Sequence, residues 1–236
     1  MCGIVGYAGT KAAAPLLVDG LAKLEYRGYD SAGIAVQEAG GLQVVRRLGK
    51  VASLAHSAEH FDLKGTCGIG HTRWATHGRP SETNAHPHVS CDGKIALVHN
   101  GIIENFTELR EELEAAGHVF ASETDTEVVA HLVEEAYDGD LLAAVRQATQ
   151  RLSGAYGLAV VCADEPGHIV VTRKDSPIIV GHGADGSYVA SDAIAVIEAT
   201  RDVVVLADEQ FAVLEPGGIT FFDAAGKEIA PEITHI

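Results

Sequence analysis

A cysteine stands second in the chain, in Met1-Cys2-Gly3-Ile4-Val5-Gly6, just ahead of an apolar, glycine-flanked run. Removal of Met1 would make Cys2 the chain terminus, with a thiol of ordinary pKa about 8.5 and an α-amine of pKa about 7.7–8.0 on one residue. Such an amine is partly neutral near neutral pH and takes the proton from the thiol, so the nucleophile needs no separate base. If the sulfur attacks an amide carbonyl, the oxyanion that forms needs preorganised donors. Asn100-Gly101 offers a side-chain amide beside a backbone N–H that no Cβ crowds. A small amino-acid substrate needs two more anchors. Arg73 presents a bidentate fork suited to an α-carboxylate, and Asp125 a carboxylate suited to an α-ammonium.

Each of these residues also has a purely structural reading. Cys2 can pack as a small hydrophobe. Asn100-Gly101 is a turn-type dipeptide, and Arg73 can belong to a surface ion pair. Asp125 can complement a helix dipole, beside Thr124 and Glu127 as a capping box. Among the twelve histidines, His71, His77 or His99 paired with Cys2 is the protease-like alternative. His86-Pro87-His88 sets two imidazoles on an extended loop, but no third ligand stands at a recognisable spacing, so no metal is expected there. The four cysteines, Cys2, Cys67, Cys91 and Cys162, share no CxxC spacing and match neither a zinc site nor a disulfide framework.

Whatever the chemistry, secondary structure must position it. Gly3 to Ala8 reads as a buried strand. A helix follows, with Pro15 in its first turn and an apolar stripe of Leu17, Leu21 and Leu24. The Gly-rich polar stretch 25–33 reads as a loop. Ile34 to Val36 and Leu42 to Val45 read as a hairpin turning at Gly40-Gly41. A strand then runs into a long polar loop through 71–88. Ile95 to Val98 is a strand expected to end in a turn at Asn100-Gly101. Asn105 with Glu108 resembles a helix N-cap and its box partner, and Gly117 a C-terminal stop. Two more helices are expected, one after Glu127 and one from Leu141 to Leu152. Seven short strands follow, from Tyr156 to Phe222. Several helices beside many hairpin-like strands predict two packed antiparallel sheets with helices outside, an α+β arrangement.

Composition narrows the class. At 236 residues and 47% hydrophobic, with no linker-like tract, the chain suits one full core. Its 17 basic against 33 acidic residues, a net charge of −16, argue against nucleic-acid or anionic-membrane partners. Apolar runs fall far short of the roughly 18 residues of a membrane span, and no secretory signal is legible. A cytoplasmic, reduced setting fits.

Six ordered stretches together carry a family resemblance. They are Cys2 to Gly6, Leu24 to Gly33, Gly70 to Gly78, Asn84 to His88, His99 to Asn105 and Glu123 to Glu127. They resemble the glutaminase (class II glutamine amidotransferase) domains of glucosamine-6-phosphate synthases, over nearly the whole chain. Related amidotransferases such as amidophosphoribosyltransferase share the leading Cys-Gly-Ile but differ at 25–29 and 73–77. The resemblance implies an N-terminal-nucleophile (Ntn) hydrolase fold, an αββα sandwich, with Met1 removed and no cofactor. It implies that Cys2 attacks the side-chain amide of glutamine, that Asn100 and the Gly101 N–H form the oxyanion hole, and that Arg73 and Asp125 hold the substrate's carboxylate and amine. By the same likeness Thr76 and His77 line the loop over the substrate, Trp74 resembles a gate to an ammonia channel, and Arg27 orders the site near the nucleophile. The expected domain is 2–224, with 225–236 starting a linker to a sugar isomerase domain that this sequence does not contain. The resemblance implies that such a domain takes fructose-6-phosphate and that the full-length protein is a homodimer. Three other readings stay open: the glutaminase domain of another class II amidotransferase, a different N-terminal-cysteine amide hydrolase, and a catalytically silent regulatory module on the same scaffold.

Overall fold

Strand residues here are apolar on both faces, which requires a layer on each side. In strand β1 (Gly3–Gly9), Ile4 and Ala8 face one core while Val5 and Tyr7 face another. The computed structural model, which describes residues 2–74 and 78–236, resolves this into four layers. After β1 come α1 (Ala13–Lys23), β2 (Ser31–Glu38), β3 (Gly41–Leu48), α2 (Val51–His60), β4 (Cys67–Arg73), β5 (His88–Val89) and β6 (Ile95–Ile103). Three helices follow, α3 (Phe106–Ala116), α4 (Glu127–Ala136) and α5 (Leu141–Thr149). Then come β7 (Gly154–Cys162), β8 (Ile169–Lys174), β9 (Ile179–Gly183), β10 (Gly186–Ala190), β11 (Asp202–Val205), β12 (Phe211–Glu215), β13 (Gly218–Phe222), β14 (Glu228–Ile229) and β15 (Thr234–His235).

One sheet has the order β15-β11-β9-β10-β1-β4-β2-β3, the other β14-β13-β12-β8-β7-β6-β5. The ladders between these strands are antiparallel. Helices α1 and α2 cover the first sheet through Leu17, Leu21 and Leu54. Helices α3 to α5 cover the second through Leu113, Val129, Val133 and Val145. Between the sheets lies a third core of mostly small or β-branched side chains, among them Ala35, Ala96, Val98 and Ala159. Strand alternation divides β6 accordingly: Ile95 and Leu97 point to the helices, Ala96 and Val98 to the other sheet. This is the αββα sandwich that the resemblance implies. Among the described residues, no helix is long and apolar enough to cross a membrane.

Four local expectations are corrected. Asn100-Gly101 is not a turn. Both residues lie inside β6, paired with Gly157 and Tyr156 of β7. The polar stretch 25–33 is a single turn of 3-10 helix, Glu25–Arg27, after which β2 already begins at Ser31. The hairpin turns at Ala39-Gly40, since Glu38 pairs with Gly41. Asn105 occupies the N-cap position of α3 without capping it. Its amide instead donates to the Arg151 carbonyl at 2.9 Å and accepts from the Ser153 N–H at 2.9 Å, stitching α3 to the start of β7. Helix α2 is an element that the sequence reading did not expect.

Candidate active site

Pairing of β1 with β4 sets Gly3 opposite Thr72, so Cys2 leaves its strand beside Arg73 and Trp74 at the end of β4. The Trp74 N–H donates to Cys2 Sγ at 3.2 Å, and the thiol reaches the Trp74 carbonyl at 3.5 Å. Burial raises the Cys2 thiol pKa, while that backbone N–H and the nearby Arg73 guanidinium favour the thiolate. Gly28 makes this approach sterically feasible. A Cβ there would stand 2.7 Å from the Arg73 carbonyl carbon and 2.9 Å from the Trp74 nitrogen.

The second sheet supplies the facing group. Asn100 Nδ2 donates to the Cys2 carbonyl at 3.1 Å. Its Oδ1 accepts from His71 Nε2 at 3.1 Å, and the same N–H reaches the His99 carbonyl at 3.0 Å. Both partners of His71 Nε2 are acceptors, so that nitrogen carries the proton. Gly101 must be glycine, because its φ is 132° and a Cβ would sit 2.0 Å from the Ala155 carbonyl oxygen.

Behind Asn100 lies a cluster of buried imidazoles. His71 stacks on His86 with centroids 4.1 Å apart, and His88 packs edge-on to His86 at 4.8 Å. The His99 N–H donates to His86 Nδ1 at 3.2 Å, which leaves His86 Nε2 to donate to Thr126 Oγ1 at 3.3 Å. That hydroxyl meets His99 Nδ1 at 2.9 Å. Burial pushes His71 and His88 down to about 3 and His86 well below the usual imidazole range, so all three stay neutral at physiological pH. Neither His71 nor His99 is hydrogen-bonded to Cys2, so neither forms the protease-like pair. His77 and Thr76 lie outside the described residues.

Arg73 and Asp125 are both buried, each 4% exposed. Arg73 Nη2 donates to the Gly78 carbonyl at 3.1 Å. Asp125 precedes α4, and its Oδ2 accepts the Ile103 N–H at 2.8 Å, tying it to the end of β6. It makes no capping box. Glu127 instead accepts from the Ala121 and Ser122 N–H groups at 2.8 and 2.7 Å. Cys2, Arg73, Gly101 and Asp125 line one narrow cleft of about 20 Å³, room for about one water. On its other side Cys2 opens into a groove of about 250 Å³ with Arg27, Trp74, Asn100 and Pro177. A larger cavity of about 560 Å³ between α1 and α2 is lined by Pro15, Val18, Ala55 and Leu63 and brings no nucleophile near an anchor, so volume alone does not mark the site.

Arg27 acts at one remove. Its Nη1 donates to the Ser191 carbonyl at 3.2 Å and to Asp192 Oδ2 at 3.0 Å. Ser191 Oγ in turn accepts the Ile4 N–H at 3.0 Å, so Arg27 braces the corner that holds the start of β1. Trp74 is 46% exposed and meets Tyr29 edge-to-face at 5.6 Å.

The fold thus gathers Cys2, Arg27, Arg73, Trp74, Asn100, Gly101 and Asp125 around one cleft and its groove. The family model of the glutamine amidotransferase domain matches residues 71–199, more than half of the chain. The chain belongs to this family. The amidotransferase domain is 51% identical over all 236 residues to a glutamine–fructose-6-phosphate aminotransferase (isomerizing) of Clostridium tetani, and spans 39% of that protein's length. A Thermus thermophilus protein of the same name is likewise 51% identical over the whole chain, which covers 39% of it. Among solved structures, the glutamine phosphoribosylpyrophosphate amidotransferase of B. subtilis superposes with a TM-score of 0.82 at 26% identity, over 96% of this chain and 50% of that one. The fold is that of the Ntn amidotransferases. The residue that sequence reasoning undervalued is His71, weighed only as a base. Its signal was its place two residues before Arg73 on one strand, which turns it to the same side.

Proposed function

We propose that this domain hydrolyses the side-chain amide of glutamine through a Cys2 thioester, as the nitrogen-donor half of glucosamine-6-phosphate synthesis from fructose-6-phosphate. The observation that carries the reading is the Asn100 amide held 3.1 Å from the Cys2 carbonyl, at the mouth of the cleft that Arg73 and Asp125 share. With Met1 removed, the α-amine of Cys2 takes the thiol proton as sulfur attacks the glutamine amide carbon. The oxyanion is received by the Asn100 amide and the Gly101 N–H. The amine then gives its proton to the departing nitrogen, ammonia leaves, and water hydrolyses the thioester to glutamate.

Arg73 takes the α-carboxylate and Asp125 the α-ammonium, consistent with two opposite charges buried at one cleft. The resemblance also assigns Thr76 and His77, which lie outside the described residues, to substrate binding. Trp74, between cleft and groove, suits a gate through which ammonia leaves, and Arg27 keeps β1 and Cys2 in place. A cleft of about 20 Å³ implies that its walls part to admit glutamine. We assign the domain to 2–224. From 225 the chain leads toward a sugar isomerase module that takes fructose-6-phosphate and dimerises, in a cytoplasmic enzyme.

Intact mass combined with glutamate release tests the reading. Met-free protein is expected to release glutamate from glutamine, and Cys2→Ala to bind glutamine without turnover. No glutamate from Met-free protein, or turnover by Cys2→Ala, removes it. A silent module gives the first result, and a different amide hydrolase is exposed by faster turnover of amides unlike glutamine.

A further inference from the structure

Outside the linings of the Cys2 cleft and its groove, four side chains from three segments converge on one point. They are Cys91 between β5 and β6, His118 just after α3, and His131 and Glu134 one turn apart on α4. One ligand atom from each lies within 4.8 Å of all the others. Cys91 Sγ stands 3.6 Å from His118 Nδ1 and 3.5 Å from His131 Nδ1. Both of those nitrogens approach the same oxygen, Glu134 Oε2, at 3.1 Å. A tetrahedral zinc ion, with bonds of about 2.3 Å to sulfur and about 2.0–2.1 Å to nitrogen and oxygen, sets sulfur–nitrogen edges of about 3.6 Å and nitrogen–oxygen edges of about 3.3 Å. Four of the six edges match these to within about 0.2 Å, and the remaining two pairs lie within 4.8 Å, so seating the ion draws the four ligand atoms closer together.

Hydrogen bonding alone accounts poorly for this packing. Glu134 Oε2 would accept from two imidazoles and also from the Cys91 N–H at 3.1 Å. It does not explain why both rings turn the same nitrogen toward a thiol as well. The outer nitrogens are informative too. His131 Nε2 faces Glu127 Oε1 at 3.7 Å, and His118 Nε2 faces Glu135 Oε1 at 3.7 Å. At 3.7 Å these are charge contacts and not hydrogen bonds, and His131 Nε2 has no hydrogen-bond partner among the described residues; a carboxylate on the outer side of an imidazole still favours the basic, ligating ring. Glu127 is itself held rigidly, since the Ser122 hydroxyl donates to it at 2.5 Å.

We propose that Cys91, His118, His131 and Glu134 form a tetrahedral site for a divalent transition metal, with zinc the ion best suited to one thiolate, two imidazoles and one carboxylate. One thiolate and one carboxylate balance the ion's charge. With four protein ligands the site is closed, and its task is structural. It pins the β5–β6 turn and the α3–α4 connection to α4, whose preceding residues include Asp125 and Thr126 of the Cys2 cleft.

The experiment is metal analysis and cobalt spectroscopy on the whole chain, stripped with chelator and reloaded with Zn²⁺ or Co²⁺. The expected result is one metal per chain, a thiolate-to-cobalt charge-transfer band, and a higher Tm with Zn²⁺. Cys91 is exposed, so Cys91→Ser should fold, and it should lose the band and the Zn²⁺-dependent rise in Tm; His118→Gln should lose that rise. Cys2→Ser should keep both signals. Absence of the band and of any Zn²⁺ effect on the unsubstituted chain overturns the site. So does a band that survives Cys91→Ser, or one that Cys2→Ser removes.

Discussion

His71 Nε2 donates to Asn100 Oδ1 at 3.1 Å, and this contact decides which end of the Asn100 amide faces Cys2. With Oδ1 engaged, Nδ2 points to the Cys2 carbonyl. An amide turned over would present an oxygen to the developing oxyanion. In the proposed reaction His71 would position the Asn100 amide, and its low pKa from burial keeps it neutral. In His71→Ala the amide is free to rotate. Losing one buried hydrogen bond costs roughly 1–1.5 kcal/mol, so kcat should fall about tenfold with KM nearly unchanged. Asn100→Ala, which removes the donor itself, should cost on the order of 10²–10³ in kcat. A His71→Ala loss confined to KM, or as large as that of Asn100→Ala, would contradict a positioning role; initial-rate glutaminase kinetics distinguish the cases.

Arg73→Lys bears on the anchor. Arg73 already uses Nη2 on the Gly78 carbonyl, so a guanidinium can hold that contact and still offer donors to a carboxylate. A lysine ammonium is a compact point charge without the planar fork. The lost charge-assisted contact is worth about 1.5–3 kcal/mol, which predicts a rise in KM for glutamine of about 10- to 100-fold with a smaller change in kcat. An unchanged KM would refute the assignment of Arg73 to the carboxylate.

How much of this was legible in the sequence differs from element to element. Strands β7 to β13 were readable because short apolar runs are punctuated by turn residues, and Gly117 closes α3 with a left-handed φ of 102° as its type suggests. Asn100-Gly101 was misread because the local signal for a turn is strong, whereas the fact that overrides it, pairing with Gly157 and Tyr156, lies more than fifty residues away. Helix α2 was missed because only Val51, Leu54 and Ala58 of its ten residues are buried, too thin a stripe to stand out. The family resemblance grouped Cys2, Arg73, Asn100 and Asp125 in one site. It could not place His71 against Asn100, since that contact crosses from one sheet to the other. Nor could it assemble Cys91 with His118, which are 27 residues apart with a helix between them.

The buried imidazoles predict acid sensitivity. An unfolded chain protonates His71, His86 and His88 near pH 6.5, whereas in the fold burial holds His71 and His88 at about 3 and His86 well below the usual imidazole range. The unfolded state therefore binds more protons across this window, and stability falls as the pH drops from about 6.5 toward about 3. His131 works the other way in metal-free protein: burial lowers it, but Glu127 and Glu134 outweigh burial and raise it. One raised group offsets part of three lowered ones. Urea unfolding between pH 7.5 and pH 4.5 (a range of about three units chosen around the free-histidine value) should show declining stability, with a shallower decline in His88→Gln. A flat profile would mean that these rings are hydrated or charged in the folded protein.

Gly28→Ala tests whether the backbone of the β4 end is part of the catalytic geometry. Gly28 is extended, with φ −174°, so alanine is not penalised by its dihedrals. The penalty is contact: the new Cβ would meet backbone on the Arg73-Trp74 peptide at 2.7–2.9 Å, and backbone cannot swing aside as a side-chain tip does. That peptide must shift, and it carries both the N–H that reaches Cys2 Sγ and the attachment of Arg73. The expected outcome is a protein that folds, with a Tm lowered by a few degrees, as about 1 kcal/mol of strain implies for a domain of this size. Its Cys2 should be alkylated more slowly at neutral pH, because a hydrogen bond to the thiolate is lost and burial then raises the thiol further. Alkylation rates measured against pH give the answer directly. A profile superimposable on that of the unsubstituted protein would show that the Trp74 N–H contributes nothing to the reactivity of Cys2.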